Sequence, residues 1–85
     1  MERNWLKCRI LKGMFSDERV VVINRVDGRS TSMFVPMGTV RGNIDQEGQV
    51  RVDVFADRGA TWAVLPTEDR DTLPVNVRDL DSFIV

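Results

Sequence analysis

The sequence predicts an all-β domain, and three observations carry that prediction. Apolar and polar residues alternate with period two along most of the chain. Dipeptides that favour tight turns, such as Asp27-Gly28 and Arg58-Gly59, recur between the alternating runs. No segment carries apolar residues at i, i+3, i+4 and i+7 over the length a stable helix needs. At 85 residues, 42% hydrophobic and 29% charged, the chain suits one globular domain over residues 1–85 with a thin core, expected as a small six-stranded barrel.

In the first strand Leu6, Cys8 and Ile10 alternate with Lys7 and Arg9, which predicts one buried and one wet face. Gly13-Met14-Phe15-Ser16-Asp17-Glu18 breaks the alternation and reads as a loop. Val20–Ile23 is a continuous β-branched run, expected of a strand covered on both faces. Asp27-Gly28 turns the chain into a third strand at Ser32–Val35, and Pro36 ends that strand or marks an edge. Met37–Val40 has room for one helical turn. Glu47-Gly48 then reads as a turn into the strand Gln49–Ala56. Asp57-Arg58-Gly59 closes a hairpin onto Ala60–Leu65, with Trp62 and Val64 on one face. Pro66 stops that strand, and Thr67–Thr72 is a charged loop. Leu73–Val77 gives the sixth strand, residues 79–81 a short turn, and Ser82–Val85 a closing strand.

The two halves overlay. With an offset of 42, Arg9 falls on Arg51, Val22 on Val64 and Ile23 on Leu65; dropping two residues puts Val35 on Val75 and Val40 on Leu80. Residues 5–42 and 48–85 thus read as two copies of a three-strand unit, each too small to cover its own apolar face. The short strands, the tight turns and the phrases Val64-Leu65-Pro66 and Val75-Asn76-Val77-Arg78-Asp79-Leu80 resemble the small SH3-like barrels. That resemblance implies a single helical turn before the last strand. The aromatic motifs that proline-binding SH3 domains use are absent, since the chain has no Tyr, so the resemblance implies no binding residues.

Catalysis has little to work with. The chain has no His, which removes the commonest general base and most nucleophile pairs. Cys8, the only cysteine, lies between apolar neighbours on an alternating strand and is expected in the core. The acids Glu68, Asp69 and Asp71 lack the spacing of a calcium loop, and no glycine cluster cradles phosphate. The expectation is therefore no enzyme, no metal site and no cofactor. Met1–Lys7 lacks the apolar region of a signal peptide, and no stretch approaches the ~18 apolar residues of a membrane helix. With one cysteine and no disulfide, a cytoplasmic protein without membrane attachment is expected.

A protein-binding module is the function these features favour. Met14 and Phe15 sit at a loop tip, where they either plug the barrel end, the commoner fate, or stay exposed as contacts, with Asp17 beside them. Trp62, flanked by small residues, is a further contact candidate if half-exposed. The alternative is weak single-stranded nucleic-acid binding by Lys7, Arg9, Lys12 and Arg19. Residues 1–42 carry eight Lys or Arg against four acids, while residues 43–85 carry four against nine. The isoelectric point near 5.3 argues against nucleic acid. Opposite charge in the halves and open strand edges also suit a self-assembling structural subunit.

Overall fold

The computed structural model describes residues 1–81, so the expected strand at Ser82–Val85 lies outside the described residues. Seven strands form one antiparallel sheet: β1 (Glu2–Lys12), β2 (Glu18–Asn24), β3 (Ser30–Pro36), β4 (Val40–Arg41), β5 (Glu47–Asp57), β6 (Ala60–Val64) and β7 (Thr72–Pro74). The order across the sheet is β3-β2-β1-β5-β6-β7, with the two-residue β4 also paired to β5. The sheet curls into a half-barrel, and among the described residues no ladder joins β3 to β7.

The period-two pattern decides which side faces inward. Leu6, Cys8 and Ile10 of β1 meet Val50, Val52 and Val54 of β5 inside the curl, joined by Val21, Ile23, Val35, Ala63 and Leu65. At about 0.8 kcal/mol per buried CH₂ group, these apolar side chains supply the main driving force for the curl. Among the described residues no helix is long and apolar enough to cross a membrane.

Three sequence expectations are corrected. Val20–Ile23 is buried on one face only: Val21 and Ile23 are inaccessible, while Val20 and Val22 are half-buried. A single curled sheet packs its inner face on itself, and among the described residues no second layer covers the outer one. Glu47-Gly48 does not turn the chain but opens β5. The turn falls just before it, where Asp45 takes φ 67° and the Gln46 N–H donates to the Asn43 carbonyl. Gly48 is needed for packing instead, since a Cβ there would strike the Arg41 carbonyl and the Ile10 side chain. Finally, the sixth strand pairs only over Thr72–Pro74. After Asn76 the chain makes a 3-10 turn at Val77–Asp79 and crosses to β1, where Leu80 bridges Leu6.

That crossing has a counterpart. β3 is followed by a 3-10 turn at Met37–Thr39, after which β4 crosses to β5 and Val40 pairs with Val50. The second half of β1 pairs with β2 and its first half receives Leu80; the second half of β5 pairs with β6 and its first half receives β4. Leu6 and Val50 face each other at the centre of this arrangement. Each wing of the sheet thus lends its last extended segment to the first strand of the other.

Candidate functional site

The Gly13–Asp17 loop is a built structure. The Glu18 carboxylate Oε1 accepts the Met14 N–H at 3.1 Å, and the Glu18 N–H donates to the Phe15 carbonyl at 3.1 Å. A Cβ on Gly13 would lie 2.6 Å from the Glu18 carbonyl oxygen, so glycine lets the loop close this tightly. The loop does not plug the half-barrel. Met14 is 78% exposed and Phe15 66%, against the commoner fate of such a pair.

The neighbouring edge of β3 extends this apolar surface. The Met37 N–H donates to the Asp17 carbonyl at 2.8 Å, and Phe34 and Met37 are themselves 50% and 46% exposed. The same bond, with that from the Arg25 N–H to the Arg29 carbonyl, fixes the parity of the β2–β3 ladder. Thr31, Met33 and Val35 bond to β2, while Ser32 and Phe34 turn their backbone N–H and C=O groups away from it. Among the described residues nothing pairs with those outward groups. A groove of about 360 Å³ runs along this end, lined by Asp17, Glu18, Phe34, Val35, Pro36, Pro66 and Glu68. Three of its lining residues are acids and none is a cation.

Trp62 is not part of that surface. It lies on β6, beyond the β1–β5 pair, half-buried on the outer face of the sheet. Its ring stacks on Phe55 with centroids 6.5 Å apart, and its indole Nε1 is shielded without an acceptor among the described residues.

The four basic residues of the nucleic-acid alternative are not brought into one groove. Lys7 and Arg9 share the outer face of β1, where Lys7 pairs with Glu47 at 3.8 Å and the Arg9 guanidinium donates to the Asp45 carbonyl at 3.2 Å. Lys12 and Arg19 face each other at the end of the β1–β2 hairpin. Arg19 is spent on structure, donating to the Ser16 and Glu18 carbonyls and touching the Met37 sulfur.

Sequence reasoning missed a second cluster, on the outer face of the β1–β5 pair. Arg3 pairs across strands with Asp53, and Trp5 with Arg51. The Arg41 guanidinium lies 3.7 Å above the Trp5 ring and reaches Asp81 at 3.3 Å. Arg70, in the loop after β6, sits 3.2 Å from the Asp53 carboxylate. The strand alternation signals that Arg3 and Arg51 face outward. Only the register, and the left-handed φ of 52° at Arg70, bring them together.

The remaining chemistry-bearing groups are used internally. Cys8 is buried, and desolvation pushes its thiol up to about 12. In the acidic loop, Asp71 accepts the Thr67 hydroxyl at 2.8 Å and its N–H donates back to that oxygen at 2.9 Å. No protein-family model, curated protein or solved structure matches this chain.

Proposed function

We propose that this domain is a non-catalytic docking module that takes an extended segment of a partner protein beside β3. The observation that carries the reading is the edge of β3, unpaired among the described residues, where Ser32 and Phe34 turn backbone groups outward and the strand's end is tied through the Met37–Asp17 bond to the loop that exposes Met14 and Phe15. Strand addition at such an edge supplies main-chain hydrogen bonds, and alternate side-chain pockets supply selectivity. The groove selects charge: Asp17, Glu18 and Glu68 line it without a cation, so the fitting segment carries Lys or Arg between apolar residues.

The test uses labelled peptides of alternating Lys and Val and of alternating Glu and Val, read by anisotropy and by amide NMR. The basic peptide is expected to bind, with shifts confined to Met14, Phe15, Asp17, Glu18, Ser32, Phe34 and Glu68. The double variant Met14→Ala/Phe15→Ala should weaken it about tenfold, because truncating a central contact residue typically costs more than about 1 kcal/mol. Equal binding of the acidic peptide, or a folded double variant with full affinity, would overturn the reading.

The exchanged segments support reading residues 5–42 and 48–85 as two copies of one unit. The ladders place Arg9 opposite Val22 and Asp53 opposite Val64, so on this reading the first strands align Arg9 with Asp53, not with Arg51. The 3-10 turn at Val77–Asp79 ahead of the Leu80 bridge supports the SH3-like grouping.

A further inference from the structure

We infer that Arg3, Arg51 and Arg70 form a binding site for a phosphoryl group on the outer face of the β1–β5 pair. Arg3, Arg51 and Arg70 line one pocket of about 120 Å³ together with Asp53, Val64 and Pro66, and Asp53 is its only acid. Asp53 is engaged by Arg70 at 3.2 Å, while no hydrogen bond or ion pair holds Arg3 or Arg51 among the described residues. Clustered cations normally disperse or recruit carboxylates, because like charges at short range repel. Here the register forces the cluster: Arg3 lies opposite Asp53, and Arg51 is one outward position along β5.

The chemistry of the occupant follows from the donors and from the space. Guanidinium forks match tetrahedral oxyanions in a two-point geometry. A pocket of this size is well below the roughly 300–1,000 Å³ that drug-sized ligands occupy, so it takes one charged group and not a whole nucleotide. Asp53 sets the affinity by competing for Arg70. This site lies apart from the groove beside β3 and does not depend on it.

The experiment is an NMR titration of the whole chain with inorganic phosphate at constant ionic strength, with chloride as the control. The expected result is saturable movement of the Arg3, Arg51 and Arg70 side-chain N–H signals and the Asp53 amide. Arg51→Ala should weaken phosphate about tenfold, the usual loss for a hydrogen bond to a charged group. Asp53→Asn should strengthen it several-fold, a gain that a purely structural role for these residues does not produce. Movement that never saturates, that chloride reproduces, or that survives in folded Arg51→Ala and Arg51→Gln overturns the site. A second arm uses a short oligothymidine. Tighter binding than phosphate with quenching of Trp5 emission assigns the group to a nucleic-acid backbone; affinity no better than phosphate assigns it to a small phosphorylated ligand.

Discussion

Cys8 lies between Leu6 and Ile10 on the inner face of β1, and burial pushes its thiol from 9.0 up to about 12. Only the thiolate is nucleophilic, so the folded protein is expected to resist iodoacetamide at pH 8 and to react once unfolded in guanidinium. The same shift ties stability to pH. Below the ordinary thiol value both states hold a neutral thiol and nothing changes. Above it the unfolded chain releases a proton that the folded chain keeps, so stability falls as pH rises towards 12. A denaturant series from pH 8 to 11 comparing the native chain with Cys8→Ala measures this: the native chain should lose stability faster. The core placement of Cys8 is legible in the sequence, because its neighbours two positions away are apolar. The roles of Arg3 and Arg51 are not, because an arginine on a wet strand face looks the same whether or not another strand brings it companions.

Strands are legible in this chain and their partners are not. The alternation in β1 and β5, the Arg58-Gly59 turn and the edge position of β3 at Pro36 all follow from local physics. Gly48 shows where local physics stops. Next to Glu47 it resembles a turn residue, but the groups that require a glycine there, the Arg41 carbonyl and the Ile10 side chain, come from β4 and β1. Gly48→Ala is therefore expected to destabilise the domain by about 1–3 kcal/mol, the usual cost of overpacking. Chemical denaturation would check it, and an unchanged midpoint would show that β4 is free to move off. The loop Gly13–Asp17 is ambiguous in the same way. Its composition allows a plug or an exposed tip, and the Glu18 hydrogen bonds that hold the tip outward involve no sequence pattern.

Across the whole molecule the charge gradient is separated in space more than it is erased. The first half forms the wing β3-β2-β1 and the second half the wing β5-β6-β7, and the ion pairs Lys7–Glu47 and Arg41–Asp81 join cations of one to acids of the other. Both pairs are exposed and contribute little individually, typically about 0–1 kcal/mol. Because opposite charges already meet within the chain, the two halves satisfy part of their attraction without a second copy. Sizing at low and at high salt is therefore expected to give the same monomer elution, and a larger species at low salt would favour self-assembly. The exchange of segments between the wings also bears on how the chain reaches this shape. The pairs β1–β2, β4–β5 and β5–β6 close over short loops, whereas β1 must find β5, and Leu80 must find Leu6, from far along the chain. Such distant pairing makes all-β domains slow, folding in milliseconds to seconds. Until the wings clasp, the inner faces of both stand open to other chains during synthesis and refolding, so crowding is dangerous to this protein mainly before the clasp is made.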